Sequence, residues 1–475
     1  MALLRDLCLH AALRTALGRT VLVYIPVYNV DGALNRGDTS RANQQGPEAF
    51  GFRGNARHLD LNRDFIKADS LNARAFAQAF MRWDPDVMVD THTSNGADYQ
   101  HVMTLIATQP DKLGGRTGAH LRQAMLPALY DGMAERGFPM CPYVNPLHEI
   151  PDDGIADFLD SPRFSTGYAA LHHCIGFMPE THMLKPYADR YHGTRALLDC
   201  ALAWTVANGD AIRAARAADR ASIAAGAPVA LDWALDRVQG RSVRFSGFAA
   251  VREPSRVGHY SRLRYDRSAP WQKDIPYFDR YAVTASVQPP RGYLLPQAWH
   301  DVAQRLQAHG VPMHRAASAA RLRAEAYRIT HFEKQPLPFE GRHLHARVDV
   351  QAESTTAEVA PSDWLLPLGG PHDRFIVEVL EPLGIDSLFR WAFFDSVLDR
   401  KEGFSDYVFE DEAEHLLATD IELQRRFEAW KAEHPERLAD AQAVLEFVFL
   451  ASPRHAEPAW RRYPVLRLLA LPQDP

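Results

Sequence analysis

At 475 residues the chain is too long for one ordinary core, so roughly two or three domains are expected. Hydrophobic residues make up 46% and charged residues 24%, the formal charge is -6, and no Lys- or Arg-rich stripe is present. This composition excludes general disorder and argues against nucleic acid or an anionic membrane as a partner. The four cysteines, Cys8, Cys141, Cys174 and Cys200, are widely spaced without a CxxC, the pattern of free thiols rather than of a disulfide framework or a cysteine-rich zinc site.

Residues 2–17 place apolar side chains on one helical face, with Gly18 as a stop signal and no capping residue in front. Residues 21–28, VLVYIPVY, read as a strand buried on both faces of a parallel sheet. A domain that opens on a helix and then a central strand lacks its first strands, so a start at an internal methionine is expected. No apolar run approaches the length of a membrane span. The opening MALLRDLCLH has neither a basic n-region nor an uninterrupted apolar one, which leaves the cytoplasm as the default compartment.

Residues 37–58, rich in Gly, Asn, Gln, Arg and Pro, form a long loop of the kind that carries function. A helix is expected over 70–83, capped by Asp69 or Ser70, followed by a strand over 86–91 whose carboxyl end delivers His92. In open α/β sheets ligands bind outside the carboxyl ends of strands, so a site belongs here. A strand over 102–107, a helix over 119–136 and a Pro- and Asp-rich loop over 141–165, placed to lie over a site, come next.

A short buried strand over 174–178 then ends at Pro179-Glu180, and helices follow over 187–207 and 210–227. The first domain is assigned to 1–210. Short strand-like runs at 243–251, 281–287, 326–331, 344–351 and 375–380 make 211–385 a β-rich domain, and 386–475 is mostly helical.

The chemistry-bearing residues cluster early. His92 alone at a strand end reads as structural, but Asp90 before it and small polar residues after it suit a metal ligand. Glu180 at the end of an apolar strand is a desolvated carboxylate, either salt-bridged or positioned to move a proton. A carboxylate is best gripped by the planar fork of a guanidinium beside an amide, which Asn62-Arg63 provide.

The FR of Phe52-Arg53, the DLNRDF of residues 60–65, the DTH of residues 90–92 and the PETH of residues 179–182 together resemble the zinc carboxypeptidase family of the carboxypeptidase A type. The resemblance covers roughly residues 21–187. It implies an α/β fold with a mixed, largely parallel sheet flanked by helices, and one zinc ion, Zn2+, bound in part by His92. Glu180 would carry the proton, and Arg53, otherwise a loop salt bridge, would hold the oxyanion. Asn62 and Arg63 would grip the terminal carboxylate of a peptide or N-acyl amino acid. Asp60 would orient the first zinc histidine, and Tyr168 would be the family's mobile tyrosine over the substrate, although its short spacing to Glu180 suits a core tyrosine better.

The family's other two zinc ligands form a His-x-x-Glu, and none of the 21 histidines is followed by Glu at the third position. The expected function is zinc-dependent hydrolysis of C-terminal peptide bonds. The alternatives are a metal-free protein that binds peptide C-termini without cutting them, and an amidohydrolase acting on N-acyl amino acids.

Overall fold

The computed structural model describes residues 1–11, 14, 17–452 and 459–472. The strand Ile175–His182, here β5, has all eight residues buried and organises the first part of the chain. Strands β1 (Val87–Val89) and β2 (His92–Ser94) pair with it in parallel, β3 (Met103–Ala107) pairs with it antiparallel, and β4 (Cys141–Pro142) continues the sheet in parallel beyond β3. The result is an α/β fold with a mixed sheet. Glycine at 176 lets the helix Ser165–Leu171 lie directly on β5, since a β-carbon there would stand 2.9 Å from both Thr108 Oγ1 and Thr166 Cα.

The helix Leu71–Trp83 forms as its sequence predicts. Ser70 Oγ accepts the Ala73 N–H at 3.0 Å, and Ala73, Ala77 and Phe80 place its apolar face inward. The turn before it is built on Asp64, fully buried, which accepts the amides of Asp69 and Ser70 at 3.0 and 2.8 Å and pairs with Lys67 Nζ at 2.6 Å. Further on, Gly115–His120 and Leu126–Glu135 are joined by a π turn at Leu121–Met125. Pro127 has no N–H to return to the preceding turn, which accounts for the wider winding there.

Several expectations need correction. Residues 21–28 form neither helix nor strand and pair with no strand among the described residues, and Val21, Leu22, Val23, Tyr24, Ile25 and Val27 are all exposed. An apolar run becomes a strand only where a neighbouring backbone accepts its hydrogen bonds, and none reaches it. Residues 2–9 are helical as expected, whereas parts of 10–16 lie outside the described residues. The strand expected to stop before Glu180 continues through it to His182.

The two helices expected on either side of residue 210 are one helix, Tyr187–Ala224, running straight through Gly209. Residues 375–380 belong to a helix, Asp373–Leu380, not a strand. All eight of its residues are buried, so its apolar run carries no periodicity by which to tell the two apart.

The remainder holds a two-stranded sheet, a long antiparallel hairpin of Arg241–Pro254 with Ser261–Phe278, and a six-stranded sheet that Leu466–Leu468 joins from near the end of the chain. Phe65, Tyr168, Tyr293, Phe375 and Tyr463 pack into one core cluster, so the segments before and after residue 210 share their interior. Asp406–Thr419, Ile421–Glu433 and Ala441–Ala451 form a separate helical unit around Phe409, Phe427 and Phe449, as the helical tail predicts. Among the described residues no helix is long and apolar enough to cross a membrane.

Candidate functional site

His92 and Glu180 are register partners in the parallel ladder of β2 and β5. The two strands are locked there by Thr181 Oγ1, which donates to the His92 carbonyl at 3.1 Å and meets Thr93 Oγ1 at 3.1 Å. His92 Nε2 bonds Asp90 Oδ2 at 2.8 Å, and the two side chains remain 23% and 28% exposed. Burial disfavours a charged His92, but Asp90 first, then Glu180 and Asp60, outweigh it and raise the imidazole to about 9. Burial likewise opposes the charge on Asp90, and His92 overcomes it, so this carboxyl titrates lower than usual.

Glu180 is only 8% exposed, and its Oε2 has no hydrogen-bond partner among the described residues. Burial pushes its carboxyl up to about 7, against the pull of His92, Arg41 and Arg53. A carboxyl that exchanges its proton near neutrality, beside an imidazolium, is the arrangement that general acid–base chemistry uses.

The second wall is the loop carrying Arg53 to Arg63. Asn29 Nδ2 donates to the carbonyls of Phe52, Arg53 and Gly54 at 3.2, 3.0 and 3.3 Å, and Asn55 Oδ1 accepts the amides of Arg57 and Leu59. Asp60 closes the loop, its Oδ1 accepting the Asn62 amide at 2.9 Å and its Oδ2 pairing with Arg53 Nη1 at 2.7 Å. The partner of Asp60 in this structure is Arg53. With 58% of its side chain exposed, Arg53 keeps the rest of its guanidinium open to a ligand.

Arg63 stacks its guanidinium on the Phe164 ring at 4.5 Å and engages one nitrogen, Nη1, with the Asn62 carbonyl at 2.8 Å. Burial lowers its pKa, and its charge is felt together with those of Asp60 and Arg53. Asn62 Oδ1 accepts the Ser165 amide at 3.4 Å, which leaves Nδ2 with only the sulfur of Met178, at 3.7 Å, as a partner. An amide donor and unengaged guanidinium nitrogens thus stand side by side.

Tyr168 is not part of this cleft. It is 0% exposed, packs with Phe65, Phe76, Phe80 and Phe375, and its hydroxyl bonds His309 Nδ1 at 3.0 Å, so the expectation of a substrate-facing tyrosine is corrected to a core residue. Two residues not anticipated stand at the cleft instead. Arg41 is tied to the Thr93 carbonyl at 2.8 Å and acts on Glu180. Tyr143, in the loop expected over the site, has its phenol raised first by burial and then by Glu180, with Arg63 opposing. An aromatic residue in a loop flagged as a cover was the available signal for Tyr143. Nothing in the sequence singled out Arg41.

Among the described residues no group of three His, Cys, Asp or Glu stands together as metal donors. His92 contributes one imidazole, with Nε2 engaged by Asp90, whereas catalytic zinc takes three protein ligands. Comparison with protein-family models, with curated proteins and with solved structures finds no match to this chain.

Proposed function

We propose that the cleft binds the C-terminal end of a peptide, or an N-acyl amino acid, and that the protein is a carboxypeptidase-like hydrolase acting on the bond before the terminal residue. The observation that carries this reading is the convergence of three separate segments. His92 and Glu180 stand in register, and the loop closed on Asp60 comes beside them, with Asn62 meeting Met178 of β5, Arg53 acting on Glu180 and Asp60 on His92.

In this reading Asn62 Nδ2 and the unengaged nitrogens of Arg63 grip the terminal carboxylate. Arg53 and Arg41 provide positive charge for the oxyanion that develops on the scissile carbonyl. Glu180, near 7, takes a proton from water as the water attacks the carbonyl and returns it to the amine as the amide bond breaks, while the His92 imidazolium favours the carboxylate form before the first transfer and after the second.

A second reading is a peptide-end receptor that does not cleave. It is favoured by the single imidazole at the place where the family resemblance implies a zinc ion.

The test is calorimetric titration of the full chain with a benzoyl-blocked dipeptide and with its C-terminal amide, alongside an assay for the released amino acid and elemental analysis for zinc. Binding of the acid, loss of binding in the amide, and cleavage support the hydrolase. The same binding without cleavage or zinc supports the receptor. Equal binding of acid and amide overturns both.

A further inference from the structure

A second concave site lies beside the Asp60 loop. A cavity of about 320 Å3 is lined by four guanidiniums, those of Arg57, Arg74, Arg305 and Arg342, against the carboxylates of Asp69 and Glu340, a formal excess of two positive charges. The guanidiniums divide into two kinds. Arg305 Nη2 and Arg342 Nη2 meet Asp69 Oδ1 at 2.8 and 2.9 Å, while Arg342 Nε and Lys67 Nζ meet Oδ2 at 2.9 and 3.3 Å. Asp69 is thus shared among three cations and is held ionised well below the usual carboxylate range despite its burial.

Arg57 and Arg74 stand outside that arrangement. Arg57 Nη1 donates to the Asp69 carbonyl at 3.0 Å and Arg74 Nε to the Ala68 carbonyl at 2.9 Å. Each is positioned by a neutral backbone acceptor, and neither forms an ion pair with a carboxylate among the described residues. The other carboxylate in the lining, that of Glu340, accepts the Asp60 amide at 2.8 Å.

We propose that this cavity is an anion site that takes a phosphoryl group, with Arg57 and Arg74 as its ligating residues. Two guanidiniums anchored through one nitrogen each offer their remaining N–H donors as forks, the geometry that matches a tetrahedral oxyanion. The structural task of tying down Asp69 is done by Arg305, Arg342 and Lys67, so it does not account for the other two. A water's share of liquid volume is about 30 Å3, so the space accommodates an oxyanion together with a small organic part. Inorganic phosphate and a phosphomonoester share the chemistry recognised here.

The experiment is calorimetric titration of the full chain with inorganic phosphate and, separately, with O-phosphoserine, at ionic strength held constant with sodium chloride. Saturable one-to-one binding of phosphate is expected, weakened about tenfold or more in Arg57→Gln/Arg74→Gln. Tighter binding of phosphoserine identifies a phosphomonoester as the ligand, and equal binding identifies the phosphoryl group alone. Arg57→Gln by itself, at an exposed position, shows part of the same loss if the double variant fails to fold. Phosphate that binds no better than chloride, or that binds the folded variants as well as the wild type, overturns the proposal.

Discussion

The backbone N–H of Asp60 donates to Glu340 Oε2 at 2.8 Å, joining residues 280 positions apart. Glu340 holds a left-handed conformation, with φ of 51°, between Phe339 and Arg342, which bridge antiparallel. The loop that carries Arg53, Asn62 and Arg63 is therefore braced from the later part of the chain, and the brace acts at the residue that holds Arg53.

Glu340→Ala removes the charged acceptor of that amide. Loss of a hydrogen bond to a charged group is worth about 1.5–3 kcal/mol, part of which water recovers at this half-buried position. Affinity for a blocked dipeptide with a free carboxylate is expected to fall about three- to tenfold, with the fold retained by circular dichroism. Unchanged affinity would show that Asp60 keeps its place unaided.

Arg63→Lys tests the clamp without removing the charge. Lysine offers neither the planar fork nor the stacking on Phe164, so binding of the carboxylate ligand is expected to weaken by about 2 kcal/mol, roughly 30-fold, nearly as far as in Arg63→Ala. A lysine variant that binds like the wild type would reduce Arg63 to a point charge.

Glu180→Gln makes a prediction about pH. The folded state raises this carboxyl from 4.5 to about 7, so it keeps a proton that the unfolded chain has already released. Its relative contribution to stability is fully present below 4.5, is lost as pH rises through 7, and above that the wild type carries a buried carboxylate. The glutamine variant is expected to be more stable than the wild type by about 2 kcal/mol at pH 8, and the gap to close toward pH 5. Thermal unfolding at the two pH values decides, and a gap independent of pH would mean that Glu180 titrates as in water.

For His92 the sign is set by the opposite charge. Its imidazole is raised from 6.5 to about 9, so the stabilisation from charged His92 is complete below 6.5 and disappears as pH rises through 9. In an NMR titration the ring protons should move near pH 9 in the wild type. In Asp90→Asn the midpoint should drop back toward its ordinary value, because burial then has less to oppose it. A midpoint near 6.5 in the wild type would contradict the Asp90 pairing.

What the sequence disclosed divides along physical lines. Arg53, His92 and Glu180 are each positioned by a group in or next to their own motif: Asp60 for Arg53, Asp90 for His92, a buried strand for Glu180. Arg41 was not legible, since it sits in an aperiodic loop and its partner, the Thr93 carbonyl, is chosen only by the folded chain. The short spacing of Tyr168 to Glu180 already favours a core residue over a mobile cover, and the packing of Phe65, Phe80 and Phe375 places it in the core. Residues 375–380 misread as a strand because a helix buried on every side shows no periodicity. The helix through Gly209 shows that one glycine inside a long helical pattern does not end it.

The bare apolar run at residues 21–28 bears on how this protein behaves in concentrated solution. Consecutive apolar side chains are uncovered, with Val21 at 72%, Leu22 at 40%, Val23 at 46%, Tyr24 at 43% and Ile25 at 45%. Its backbone offers unpaired donors and acceptors to any strand that arrives, which makes it a nucleus for edge-to-edge self-association. Pro26 interrupts the ladder and confines the sticky length to the five residues before it. Light scattering that grows with protein concentration, and that subsides in Val23→Lys, is the signature of that segment at work.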